Sequence, residues 1–324
     1  MESPVEAQLL APSGPAIHRL YGVAIRSPWP LANVPPGSDP QWDIEFIEGD
    51  PSTFARAIPC IPARLRGRWY QSTGLPDGSA FCRWLGLFEF IVRPGARRIE
   101  VLRHKHVSDE GLQAYLLNQA LSFSMIALGR EPLHATAIET DRGVVAFMGD
   151  GGFGKSTLGA LMVQGGARLV TDDMFVVARA EEKFSVFPGP PRLKLYRHVA
   201  DGIFGDRYRG VPMNPVTQKV IIPLSREQCS SQPRPLRAIY VISEPGSLVA
   251  STRIDRLSAG EAFPILLGAT LNDWMTDDAR LERLFRFAGD LARTIPIKRL
   301  AFPRAEERMF ALRDTIFADV ATIG

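Results

Sequence analysis

The strongest chemical signal in this chain is a run of glycines, a lysine and a serine. Gly149, Asp150, Gly151, Gly152, Phe153, Gly154, Lys155 and Ser156 satisfy the pattern G-x-x-x-x-G-K-[ST], and Thr157 follows. A loop of this kind turns several backbone N–H groups toward one anion, for which Gly149, Gly151, Gly152 and Gly154 are expected to take left-handed angles. Lys155 is placed to reach the β and γ phosphates of a nucleotide, and the Ser156 hydroxyl to hold Mg²⁺. Two carboxylates, Asp172 and Asp173, come 17 residues after Lys155. Beside a phosphate loop one carboxylate can serve as a Mg²⁺ ligand, and a second can take a proton from an acceptor hydroxyl. A solvated strand end that caps a turn would carry the same pair. Upstream, His134 sits within an apolar strand, where a histidine is either a hydrogen-bonded core residue or a group facing the same cleft.

The elements around these residues read as strand, loop and helix. Val144, Val145, Ala146, Phe147 and Met148 form a short apolar run, as a strand buried on both faces should. Leu158, Leu161 and Met162 mark one face of the following helix, whose positive N-terminal end points at the loop. Gly165 and Gly166 end it, and "ARLVTDDMFVV" reads as the next strand, carrying both aspartates. That order predicts a parallel pair joined by a right-handed crossover. "EPLHATAIET" is a strand before the loop, and "KFSVFPGPPRLKLY", "KVIIPL" and "AIYVISEP" are strand-like after it. Helices are expected near 259–271, 277–293 and 304–318.

The organisation changes near residue 130, which divides the chain into a β-rich N-terminal domain, 1–129, and a second domain, 130–324, that holds the motif. Alternating segments occupy 22–27 and 42–49, and "FEFIV" and "RIEVLRH" flank Pro94-Gly95 as a hairpin. Proline-rich stretches at 28–36 and 58–63 read as loops. A helix over 109–128, capped by Ser108 or Asp109 and stopped by Gly129, closes this part, which shows no obvious chemistry of its own.

Composition narrows the function classes. The 324 residues are 45% hydrophobic, enough for two domains with proper cores, and the net charge is only +3. No block of like charges appears, so nothing points to a nucleic-acid partner. Cys60, Cys82 and Cys229 are odd in number and far apart, and read as reduced, buried thiols. His104 and His106 read as a solvated pair with no further ligand near. There is no uncharged apolar run of membrane-spanning length, and the acidic, proline-containing N-terminus does not read as a signal peptide. A soluble, cytoplasmic protein without nucleic-acid or membrane partners is expected, with a homo-oligomer possible.

"LHATAI", then "GDGGFGKST", then "GGARLVTDD" resembles the catalytic core of the HPr serine kinase/phosphorylase superfamily. In that family a histidine, a phosphate loop and a paired aspartate follow in this order, and the resemblance covers residues 131–175 most specifically. It implies an α/β fold like that of the phosphoenolpyruvate carboxykinases, ATP and Mg²⁺, and phosphoryl transfer to a serine hydroxyl. By the same resemblance Asp173 is the general base, Asp172 holds Mg²⁺ with Ser156, and His134 contacts the transferring phosphoryl group and the catalytic carboxylate. Two positions depart from the bifunctional enzymes. Gly151 stands where they have serine, and Thr157 where they have glutamate. The layout as a whole is more similar to HPr-kinase-related enzymes of bacterial peptide gene clusters, including the lasso peptide kinases, which phosphorylate the C-terminal serine of a precursor peptide. A peptide or small protein is thus the expected partner. The alternatives are a kinase of HPr or of a small-molecule hydroxyl, and a non-catalytic ATP-binding regulatory module. "LSAGEAFPILLGA" is similar to the signature segment of an ABC ATPase, but the strand ending in Asp-Glu that should follow is missing, as is the N-K-x-D motif of a GTPase.

Overall fold

The structure is a computed structural model that describes residues 15–37, 40–180, 183–205, 208–245, 249–304 and 308–323. The acidic N-terminal stretch and the first turn expected for the last helix, at 305–307, lie outside the described residues.

Seven strands precede residue 104: β1 (Ala16–Leu20), β2 (Val23–Ser27), β3 (Ile44–Glu48), β4 (Tyr70–Gly74), β5 (Ala80–Trp84), β6 (Phe88–Val92) and β7 (Arg98–Arg103). They form one sheet in the order β1-β2-β3-β7-β6-β5-β4, with β3 parallel to both its neighbours and the other pairs antiparallel. The expected hairpin is β6–β7. A short helix, α1 (Pro51–Ala57), follows β3, its first turn capped by Asp50. Across the other face run α2 (Asp109–Tyr115) and α3 (Leu121–Ala127). Ser108 caps α2, but the helix expected over 109–128 is interrupted: residues Leu116–Ala120 form a π turn. Leu112, Leu116 and Ala120 are spaced by four, which suits an α-helix and a π turn alike, so periodicity alone does not reveal it.

The second sheet is built from β8 (Ala135–Thr140), β9 (Gly143–Met148), β10 (Arg168–Thr171), β11 (Val177–Ala180), β12 (Lys183–Val186), β16 (Arg234–Ile242), β17 (Arg253–Arg256) and β18 (Ile297–Ala301). Its order is β10-β8-β9-β16-β12-β11, and β18 pairs with β16 and β17. β9 and β10 point the same way but are not neighbours. β8 inserts between them, antiparallel to both, which corrects the expected adjacent parallel pair. Three strands, β13 (Arg192–Tyr196), β14 (Val211–Pro212) and β15 (Lys219–Pro223), make a small separate sheet.

Alternation splits the core around β9. Val145 and Phe147 join the cluster of Leu158, Leu161, Leu193 and Ile316, whereas Val144, Ala146 and Met148 join that of Leu266, Ala288 and Leu291. The first cluster lies under α4 (Lys155–Gln164), α5 (Arg197–Phe204) and α8 (Met309–Ala321). The second lies under α6 (Ala259–Gly268) and α7 (Asp278–Thr294). Helices on both faces of a largely buried sheet make a mixed α/β arrangement with several sheets. None of the described helices is long and apolar enough to cross a membrane. Cys82 is buried, Cys229 is half-buried, and Cys60 is exposed, contrary to the expectation of three buried thiols. His104 and His106 are exposed, their ring centres 6.2 Å apart.

Candidate functional site

The glycine-rich loop joins the end of β9 to α4, as its pattern requires. Gly149, Gly152 and Gly154 have positive φ (147°, 85° and 97°), but Gly151 does not, so only three of the four glycines use the freedom expected of them. Gly154 takes the N-cap position of α4 and offers no side chain to the first N–H groups. An uncapped helix start behind a left-handed glycine is a seat for an anion. Lys155 is buried, and its ammonium donates to the carbonyls of Gly149 (2.7 Å) and Asp150 (3.0 Å), so it lies along the loop. Burial lowers its pKa, while Asp173 and Asp172 work in the opposite direction. Arg304 closes the far side of the loop by donating to Phe153 O (2.6 Å) and Ser243 O (2.8 Å).

The aspartates face this loop from the end of β10. The strand stops at Thr171, rather than running through the pair as expected, because Asp173 adopts φ 72° and turns the chain. A non-glycine residue in this region marks local strain that the surroundings must hold. Asp172 is 3% exposed and accepts three hydrogen bonds. Thr136 Oγ1 (2.7 Å) and Ser156 Oγ (2.8 Å) donate to its Oδ1, and the Lys194 amide donates to its Oδ2 (3.0 Å). Burial, then the Asp173 charge, pushes the Asp172 carboxyl up, against Lys194 and the Thr136 hydrogen bond. Asp173 is more open, its side chain 30% exposed and ion-paired with the Lys194 ammonium. Burial would raise its carboxyl too, but Lys194, His134 and Lys219 outweigh that and hold it well below the usual range. The pair therefore carries its first negative charge on Asp173.

His134 lies just before β8 rather than within a strand, directly after Leu133, which bridges to both Phe175 and Thr270, and its backbone N–H donates to Ala269 O (2.7 Å). Its imidazole shares the electrostatic environment of the loop and the aspartates. Burial, then Lys155, Lys194 and Lys219, lowers its pKa to about 4 despite Asp173, so it is neutral at pH 7. Thr157 stands in the first turn of α4, and Phe153 packs partly into the core beneath the loop.

Three cations at this site were not singled out from the sequence. Lys194 and Arg192 alternate on β13 with Leu193 and Leu195, which enter the core under α4. Arg192 is buried, donates to Gln113 O (2.7 Å), and has its pKa lowered to about 10 by burial. Lys219, at the start of β15, lies over the Tyr196 ring with its ammonium 5.5 Å from the ring centre. An R-x-K pair alternating with leucine was the available signal, but the same pattern marks any half-buried strand.

Ser156 Oγ and Asp172 Oδ1 are hard oxygens side by side, and Asp172 is a buried carboxylate with no ion pair of its own among the described residues. That donor set fits Mg²⁺ sharing its shell with phosphate and water. No cluster of three or more histidine, cysteine, aspartate or glutamate side chains forms an all-protein metal cage among the described residues.

Searches of protein-family models and of curated proteins find no match to this chain. Among solved structures it is similar to the HPr(Ser) kinase/phosphatase from Coxiella burnetii, with 11% identity and a TM-score of 0.31, over 58% of this chain and 95% of that one. A TM-score this low does not establish a shared fold. The geometry of the loop and the two aspartates stands by itself.

Proposed function

We propose that the protein is an ATP- and Mg²⁺-dependent kinase that transfers the γ-phosphate to a serine hydroxyl of a peptide or small protein. One observation carries this reading: the hydroxyl that follows the loop lysine, Ser156 Oγ, is hydrogen-bonded to Asp172, while the adjacent Asp173 stays ionised and partly open. A binding module needs an anion seat and a cation; it does not need a second carboxylate poised beside them.

In this reading the loop N–H groups and the start of α4 cradle the β and γ phosphates, and Lys155 leaves its loop carbonyls to meet their charge. Ser156 and Asp172 would hold Mg²⁺, whose charge would offset that of the phosphates. The acceptor serine lies against the free oxygen of Asp173, whose other oxygen is fixed by Lys194. The serine oxygen bonds to the γ phosphorus, the bond from that phosphorus to the bridging oxygen of ADP breaks, and the hydroxyl proton passes to Asp173. A weakly basic carboxylate suffices because such transfers have loose transition states, in which positioning matters more than base strength. Neutral His134 supplies a hydrogen bond, not a charge, to the same centre.

The motif order shared with the lasso peptide kinases supports a serine at a flexible peptide terminus as the acceptor, since such a segment enters a cleft without unfolding a domain. The test is incubation with γ-labelled ATP, Mg²⁺ and peptides encoded beside the gene, with Lys155→Ala as control. Label on serine in the wild type alone supports the reading. Tight ATP binding with no transfer to any acceptor would leave a nucleotide-sensing module instead.

A further inference from the structure

Lys194 has two partners, and the second comes from the other half of the chain. Besides Asp173, its ammonium meets the amide of Asn118, which sits in the π turn between α2 and α3. The ammonium has only protons to offer, so the Asn118 oxygen must face it, at 2.5 Å. The amide nitrogen then donates to Leu117 O (3.1 Å) and to the Tyr21 hydroxyl (3.0 Å). Tyr21 is fully buried and sits against Gly189, where a Cβ would lie 2.7 Å from its ring. Each member of this line is thus fixed by the next: ring, amide, ammonium, carboxylate.

We propose that Asn118 is a positioning residue for phosphoryl transfer, holding Lys194 so that Lys194 in turn aims the Asp173 carboxylate at the acceptor. The assignment rests on the kinase reading above. Lysine is a flexible four-carbon stem, and an ion pair alone leaves its ammonium free to swing around one carboxylate oxygen. The second acceptor, delivered from a helix packed in the N-terminal core, removes that freedom. The π turn supplies the placement. It makes Asn118 91% buried beside Leu116 and Leu117, where an unpartnered amide would be costly. The N-terminal half, which shows no chemistry in its sequence, thereby reaches the reacting centre.

A double-mutant cycle tests this. Asn118→Leu keeps the branched outline but removes the acceptor, and should lower kcat about tenfold with KM for Mg·ATP unchanged, because only the acceptor side is disturbed. In a Lys194→Met background the same change should cost less than about twofold, since its route to Asp173 is already gone. Tyr21→Phe, which keeps the core ring, should give a smaller loss that also vanishes in that background, and it serves if Asn118→Leu does not fold. Independently of turnover, the urea midpoint should fall less for the Asn118→Leu/Lys194→Met double variant than the two single losses added together. Equal kcat losses in both backgrounds, or no loss with either variant, would overturn the assignment. A folded, ATP-binding wild type that transfers no phosphate would overturn the kinase reading, and the urea cycle would still decide the contact.

Discussion

The surroundings bias protonation differently at three groups of the site, pushing the Asp172 carboxyl up and the Asp173 carboxyl and His134 imidazole down. Asp173 is ionised and paired with Lys194, whereas Asp172 is buried among hydroxyl and amide donors. Asp173→Asn should leave Mg·ATP affinity nearly intact and lower turnover by roughly 10²-fold or more, as loss of a proton acceptor does. Asp172→Asn should also raise the Mg²⁺ concentration needed for half-maximal rate; the reverse pattern in a Mg²⁺ titration would swap the two roles. His134 gives a pH dependence of known sign. Its folded pKa of about 4 lies below the unfolded value of 6.5, so between these values the unfolded chain binds more protons and stability falls as pH falls. The loss should reach about 2 kcal/mol by pH 5, and His134→Gln should lack it. Urea unfolding of both proteins at pH 7.5 and pH 5 reads the difference directly. Equal slopes with pH would show that the imidazole is not held neutral.

At the scale of elements, the close approach of α4 to β8 sets the distance between the loop and the aspartates. Gly159 makes it possible: a Cβ there would lie 2.6 Å from Thr136 Cγ2, and Thr136 Oγ1 is the donor that anchors Asp172. In an open helix Gly→Ala would stabilise by about 1 kcal/mol. Here overpacking costs about 1–3 kcal/mol, so Gly159→Ala should destabilise and also raise the Mg²⁺ concentration needed for half-maximal rate through Thr136. A higher urea midpoint would contradict this packing. What could be read from the sequence follows the same division. The loop and α4 were legible because a phosphate seat demands fixed residues at fixed spacing. The insertion of β8 between β9 and β10 was not, because strand order depends on pairing between distant segments. Lys194 was hidden by a common strand pattern, and Asn118 by a π turn that helical periodicity does not register. The turn at Asp173 was missed because a positive φ at a non-glycine residue has no reliable sequence signal.

In the whole molecule, the two halves share structure around the site. Met174 and Val176, just past the aspartates, pack in the same core as β2, β6 and the helices α2 and α3. Gln119 donates to Asn272, which donates to Ser122, and Arg130 donates to the carbonyls of Tyr21 and Gly22. A fragment of residues 130–324 would expose that core face, so it should show weak near-ultraviolet circular dichroism, bind a hydrophobic dye and transfer no phosphate. A cooperative, active fragment would show that the first half is dispensable. The direction of transfer also belongs to this scale. Gly151 offers no hydroxyl to hold free inorganic phosphate, and a hydrogen bond to a charged group contributes about 1.5–3 kcal/mol. In the proposed kinase reaction the γ-phosphate would stay tethered to a nucleotide held by the loop, so that transfer should suffer less. The measurement that bears most directly on the central claim is therefore transfer from γ-labelled ATP to a serine peptide, run beside a phosphorolysis assay with phosphopeptide and excess phosphate. The expected result is serine-bound label in the wild type, at least about 10²-fold less with Asp173→Asn, and no pyrophosphate in the phosphorolysis assay. Labelling that persists undiminished in Asp173→Asn would contradict the assignment of this site.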